Sequence, residues 1–348
     1  MKRFIPQPIK KILITIYIYT RILLRGPVAN GPRVNLLGVL PKPGQIVHGG
    51  KVKLLAIRER FNDVWRGFNI AYLVSSGLPS FPSIWVKIYK KFGVKVVWNQ
   101  NGVAYPAWIG DKYKEVNTNM NSMLQADYII YQTEFTKKCA DKFIGQFNGP
   151  STILINPVDT KKFVPRNTLL DQEHIKIIMS GHHFESAKRL EVSLESIRLL
   201  RANGANAKLI VIGNRQDLPQ EDWIEIRGQF LQEDAPKLYQ EAHILLHLKS
   251  LDPCPTVVLE ALSCGLPIVG LANGGMPELV SKEAGVLVEA TEDFNEFKYP
   301  APAEVVKAIE LVINNLGQYS RNARESALKF DKEVWLNKHE EIFKSLLK

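Results

Sequence analysis

The chain has 348 residues, more than one average hydrophobic core accommodates, so its length predicts two domains. With 45% hydrophobic and 23% charged residues it has the composition of a folded globular protein, which excludes a chain dominated by disorder. A formal net charge of +10 implies an anionic partner, whether membrane surface, nucleic acid or phosphorylated substrate, and three scattered cysteines exclude a disulfide framework and fit a reducing cytoplasm.

The first element is an apolar run over residues 12–20, preceded by Lys10 and Lys11 and superficially like a signal peptide. Arg21 and Arg25 interrupt it, it is too short to span a bilayer, and no small-residue cleavage site follows. Residues 1–33 therefore read as an N-terminal extension with two equal readings, one peripheral to a membrane and one packed on the first domain. A second cluster, Lys87, Lys90, Lys91 and Lys95 interleaved with Trp85, Ile88, Tyr89 and Phe92, reads either as a basic helix lying on an anionic bilayer or as a solvated face with an aromatic packing side.

Short β-branched runs at 34–40, 69–74, 94–98, 128–131 and 152–155 alternate with stretches long enough for helices. A second set lies at 175–179, 208–212, 223–226, 244–247, 267–269 and 285–288. This alternation predicts an α/β protein of two Rossmann-like, doubly wound domains, with ligands beyond the carboxyl ends of the strands in a cleft between them. The turn-rich segment 156–165 marks the boundary, giving domains at 34–165 and 166–330. A last helix over 331–348 is expected to return to the first domain. Residues 293–302 read as a surface loop, and His243 and His247, in or beside a strand, as packing residues.

Chemistry concentrates between residues 249 and 278. Thr256–Ser263 predicts a helix after Pro253-Cys254-Pro255, and a helix start presents unpaired N–H groups and a positive dipole end to a phosphate. Glu260 falls one turn inside, among apolar neighbours, where its carboxylate can accept from a diol; Asp252 precedes the helix and can reach further hydroxyls. A strand at 177–180 followed by Gly181, His182 and then Lys188 supplies a turn and a cation, although Lys188 and Arg189 also read as ordinary residues of a helix start.

Asp252 and Glu260, Gly265-Leu266-Pro267 and Gly274-Gly275-Met276-Pro277-Glu278 match, in order and spacing, the motif of family-four retaining glycosyltransferases of GT-B architecture, the glycosyl transferases group 1. The segments 126–137 and 156–163, Gly213, Leu238-Tyr239 and Ala323-Arg324 are similar too, so the resemblance covers roughly residues 34–345. It implies a nucleotide-sugar-binding second domain, a first domain that takes a glycan or lipid-linked acceptor, and no cofactor or metal. By residue, it implies that Lys188, Gly181 and His182 meet the donor diphosphate with the backbone of Thr256 and Val257, that Glu260 holds the ribose, and that Asp252 orients the sugar. Gly49 and Gly50 stand where the family has a glycine loop near donor and acceptor, although a simple turn has an equal claim; Asn101 stands near the family's catalytic-site histidine. The expected setting is cytoplasmic, at the inner face of a membrane, in cell-envelope glycan or glycolipid synthesis.

The chain departs from the family pattern at Asp252 (for Glu), His182 (for Arg), Asn101 and Pro157 (for Gly). His182 removes a permanent cation unless the diphosphate raises its pKa. These departures keep two alternatives open, a catalytically silent sugar-nucleotide-binding protein and a GT-B sugar-nucleotide epimerase. Nucleic acid is disfavoured, since no recognition helix, RNA-binding signature or zinc-finger spacing is present.

Overall fold

The computed structural model describes residues 6–28, 30–37, 50–167, 173–180, 186–213, 218–231 and 233–348. The first sheet contains β1 (Val34–Leu36), β2 (Ile70–Val74), β3 (Lys95–Gln100), β4 (Tyr128–Tyr131) and β5 (Ser151–Ile153), all parallel and side by side in chain order. The second contains β6 (Ile175–Ser180), β7 (Ala207–Ile212), β8 (Ile224–Gly228), β9 (Ile244–His247), β10 (Ile268–Leu271) and β11 (Gly285–Val288), again all parallel, in the order β11-β10-β9-β6-β7-β8. The inner strands are continuous apolar runs because helices cover both faces of each sheet. Chain direction across the second sheet reverses between β6 and β9, and this switch point opens a crevice at the strands' carboxyl ends.

Helices over the first half are α1 (Gln7–Leu23), α2 (Gly50–Phe61), α3 (Pro82–Lys91), α4 (Pro106–Ile109), α5 (Tyr113–Thr118) and α6 (Glu134–Phe143). The second half carries α7 (Ala187–Ala202), α8 (Ala235–Gln240), α9 (Thr256–Ser263), α10 (Met276–Leu279), α11 (Pro302–Asn314), α12 (Leu316–Ala327) and α13 (Lys332–Leu346). On one face of the first sheet, Leu54 and Ile57 of α2 and Trp335 and Phe343 of α13 pack on Ile70 and Tyr72. On the other, Ile18 and Ile22 of α1, Trp85 and Tyr89 of α3 and Phe135 of α6 pack with Leu73 and Trp98. The chain's last helix therefore belongs to the first sheet's core.

Two strands of chain cross between the sheets side by side. Val158 and Asp331 form a parallel bridge, with Val158 N donating to Phe330 O at 2.9 Å and Lys332 N to Val158 O at 2.9 Å. Lys332 Nζ adds ion pairs to Glu59 at 2.9 Å and Asp159 at 3.0 Å.

The segment at 293–302 corrects the sequence reading of a surface loop. Phe294 is buried in the first sheet's aromatic cluster, its ring 5.2 Å from Phe143 and 5.6 Å from Tyr105, and its carbonyl accepts from Ala107 N at 2.8 Å. A polar-looking stretch thus carries an aromatic plug that ties the second half of the chain to the first.

Candidate active site

A cavity of about 1080 Å³ lies between the two halves, at the carboxyl end of the β6/β9 switch point. Asn101, Asp252, Thr256, Val257 and Glu260 all line it. Lys188 does not: it is exposed and pairs with Glu191 at 2.5 Å. Its neighbour Arg189 lines the wall instead, buried, with Nη2 donating to Ser180 O at 3.2 Å. The reason is helical phase, since one residue is 100° of rotation and only one of two successive side chains faces the core. Gly49, Gly181 and His182 lie outside the described residues, and Gly50 opens α2.

The start of α9 faces the cavity without a side-chain cap, because Pro255 occupies the N-cap position in an extended conformation. An apolar, β-branched first turn after a proline leaves its first N–H groups to solvent or a ligand, and the helix dipole adds partial positive charge there. One turn in, Glu260 is buried and accepts from Tyr239 Oη at 3.0 Å. Burial pushes its carboxyl up to about 7 against the lowering effect of that hydrogen bond.

Asp252, in the loop before α9, is buried, with one carboxylate oxygen 3.2 Å from His247 Nε2 and 3.1 Å from Lys249 Nζ. Burial would raise its pKa, but the Lys249 ammonium and the His247 hydrogen bond hold it well below the usual carboxylate range. Burial lowers the pKa of His247 despite Asp252, so the ring is neutral at pH 7 and donates through Nε2, a tautomer assigned from this bond. His247 lines the cavity, which corrects its reading as a packing residue. Its position at the end of β9, five residues before Asp252, was the signal in the sequence; an alternating strand pattern alone sends such a residue to the core.

The glycine turns shape this loop. A Cβ on Gly274 would fall 2.7 Å from Asp252 O, and one on Gly275 would fall 2.0 Å from Pro253 O. Gly274 also takes a left-handed φ of 64°, and Gly275 N donates to Asp252 O at 2.9 Å. Leu251, just before Asp252, is held at φ 55° while its N–H donates to Asn273 Oδ1 at 3.0 Å, a strained backbone fixed by its surroundings. Glu278 then accepts from Glu134 N at 2.7 Å and Phe135 N at 3.0 Å, capping α6 of the other half, while Thr133 Oγ1 donates to Pro253 O at 2.9 Å. The Gly-Gly-Met-Pro-Glu segment thus builds the Asp252 loop and locks it to the first sheet's side.

Asn101 enters from the loop after β3, with Oδ1 accepting from Ser76 N at 3.0 Å and Nδ2 donating to Ser76 Oγ at 2.9 Å. Both ends are engaged, and an amide has no proton to exchange near pH 7. The first half also offers an apolar patch of Tyr105, Trp108, Val116 and Met120, joined by Phe297 from the plugging segment.

Two facing α/β halves with parallel sheets, and a cavity at the switch point of the second, define the GT-B architecture. Residues 161–315 match the model of the family described as glycosyl transferases group 1. An uncharacterized glycosyltransferase of Haemophilus influenzae is 28% identical over 212 residues, covering 58% of this chain and 56% of the relative. N-acetyl-alpha-D-glucosaminyl L-malate synthase of Bacillus anthracis is 26% identical over 186 residues, covering 51% and 47%. The chain therefore spans about half the length of the curated relatives it matches. The fold is also similar to that of Anabaena Alr3699/HepE in complex with UDP, with a TM-score of 0.63 at 14% identity over 85% of this chain and 81% of that one.

Proposed function

We propose that the chain is a retaining glycosyltransferase that moves a sugar from a nucleotide-diphosphate donor to an acceptor hydroxyl on a cell-envelope glycan or glycolipid. The observation that carries this reading is the single cavity in which the uncapped start of α9, Glu260 one turn deeper and the ionised Asp252 converge at the switch point. The α9 N–H groups of Thr256 and Val257 receive the diphosphate, Glu260 accepts from the ribose hydroxyls, and Asp252 accepts from hydroxyls of the transferred sugar. Arg189, in the wall, faces the growing charge of the leaving group. Preorganised donors of this kind are typically worth about 3 kcal/mol each in the transition state. The bound UDP of the similar Anabaena protein supports a nucleotide in this crevice. The aromatic wall from the first half supports an acceptor with an apolar part.

In the reaction, the bond between the anomeric carbon and the diphosphate oxygen breaks, and the acceptor oxygen bonds to that carbon on the same face. The acceptor proton passes to the departing phosphate oxygen, so the protein's work is positioning and charge stabilisation and the reading needs no cofactor or metal. Bending at the paired crossing of Val158 and Asp331 would close the cleft and exclude water.

The test incubates the protein with nucleotide hexoses and a panel of oligosaccharide and lipid-linked acceptors and follows the anomeric proton by NMR. The reading expects a product with the donor's anomeric configuration; an inverted product contradicts it. A second reading, a silent sugar-nucleotide binder, is favoured by Asn101, whose amide is bonded to Ser76 and offers no titratable proton. Donor binding with neither hydrolysis nor transfer across the panel would support it.

A further inference from the structure

α1 presents an apolar stripe to solvent although it is firmly anchored. Ile9, Ile12, Leu13, Ile16, Leu23 and Leu24 fall within about 120° of the helix circumference at 100° per residue, and each is at least half exposed, Leu23 reaching 72%. Eight of the seventeen exposed large hydrophobics among the described residues lie between Ile9 and Val28. Fraying does not explain them: Ile18 and Ile22 on the opposite side are buried, the Tyr17 and Trp85 rings are 6.0 Å apart, and Arg25 donates to Phe68 O at 3.2 Å and Phe92 O at 3.1 Å.

Charge identifies what covers this stripe. Eleven of the 45 Lys and Arg residues, and none of the 35 Asp and Glu residues, fall in residues 1–58. The other 290 residues hold 34 basic against 35 acidic groups, so the entire positive excess sits in the region of sequence that contains α1. Lys10 and Lys11 are exposed at one end of the helix. At the other end, Gly67 N donates to Arg25 O at 2.6 Å, which brings up a loop carrying half-exposed Trp65 with the Arg66 guanidinium 5.2 Å over its ring. Leucine and isoleucine on one face, cations at both ends and an amphipathic aromatic beside them are the chemistry of a headgroup boundary.

We propose that α1, with the Trp65 loop, docks the protein flat on an anionic lipid bilayer. Its 17 residues span about 25 Å along the surface, and among the described residues no helix is long and apolar enough to cross a membrane. The stripe enters the acyl boundary while the cations meet anionic headgroups. α1 shares its buried core with Met120 of the cavity wall, so docking holds the aromatic side of the cleft near the lipid from which an amphiphilic acceptor comes.

The test is flotation of the full chain with vesicles of phosphatidylcholine alone and with 30 mol% phosphatidylglycerol, without sugar donor, so it is independent of the enzymatic reading. Strong binding to the anionic vesicles, weakened by salt, is expected. The double substitution Ile12→Glu, Ile16→Glu should weaken it more than tenfold, and Lys10→Glu, Lys11→Glu at least tenfold, at about fivefold per charge. Far-UV circular dichroism and nucleotide-diphosphate binding should be unchanged in both, since the altered side chains are all exposed. Brominated acyl chains should quench fluorescence in the wild type, and Trp65→Phe should abolish most of that quenching. Absence of flotation overturns the proposal. So does conversion of a dimer to a monomer by the Ile12, Ile16 pair, which would make the stripe a contact between copies, or RNA binding that the same pair abolishes.

Discussion

Replacing Glu260 with Gln tests the ribose contact while preserving shape. The variant keeps an oxygen to accept from Tyr239 Oη, now 3.0 Å from the carboxylate. On the proposed role of Glu260, two hydrogen bonds from ribose hydroxyls to the ionised carboxylate would be worth about 1.5–3 kcal/mol each, and the amide would retain one neutral bond of about 1 kcal/mol. A carboxyl with a pKa of about 7 is half protonated at pH 7, which offsets only about 0.4 kcal/mol. The net loss is about 2–4 kcal/mol, a rise of about thirty- to several-hundredfold in donor Kd by calorimetry. Stability moves the other way. A carboxyl whose folded pKa is raised from 4.5 to about 7 stabilises fully below pH 4.5 and loses that contribution as pH rises through 7, up to about 3 kcal/mol. Glu260→Gln, neutral throughout, should match the wild type near pH 5 and exceed it in Tm at pH 8. Donor affinity of the wild type should improve from pH 5.5 to 8 and that of the variant should stay flat. A Kd changed less than threefold, with a pH profile like the wild type's, would refute the assignment of Glu260 to the ribose.

Three other outcomes follow from the geometry. Arg189→Ala should weaken nucleotide-diphosphate binding at least tenfold by calorimetry, while Lys188→Ala changes it less than threefold and shifts stability by less than about 0.5 kcal/mol, as expected for an exposed ion pair. Lys53, fully buried on α2 and donating to Asn99 Oδ1 at 2.7 Å, is lowered by burial to about 7 against a weaker raising effect of Cys254. Its folded pKa lies below the unfolded value of 10.5, so stability is lost as pH falls from 10.5 through 7, and Lys53→Met should raise stability near pH 7 by about 1–3 kcal/mol after the lost Asn99 partner is counted. Gly275→Ala, with its Cβ 2.0 Å from a backbone oxygen, should lower stability by several kcal/mol in chemical denaturation and loosen donor binding through the Asp252 loop.

The strands were legible because helices cover both faces of each sheet, which forces continuous β-branched runs such as 175–179 and 208–212. α9 was legible to the residue, since Pro255 marks its start and Gly265 its end. The order of the first sheet was not: a run of parallel strands has the same local pattern whether they lie in chain order or reverse around a switch. Phe294 escaped notice because the aromatics of this loop, Phe294, Phe297 and Tyr299, follow no helix or strand period that would reveal the cluster Phe294 enters. Arg189 and His247 escaped for a related reason. Which of two adjacent cations faces a cavity depends on helix phase, and whether a strand histidine meets solvent or a carboxylate depends on a loop folding back from five residues later.

Calorimetric titration of the purified chain with UDP-, GDP- and ADP-hexoses shows whether the start of α9, Glu260 and Asp252 form one nucleotide-sugar site. At least one of them should bind one-to-one, more tightly than its nucleoside monophosphate, and more weakly when the ribose 2′-hydroxyl is removed. No heat from any of the three, or equal affinity for the 2′-deoxy donor, would contradict such a site.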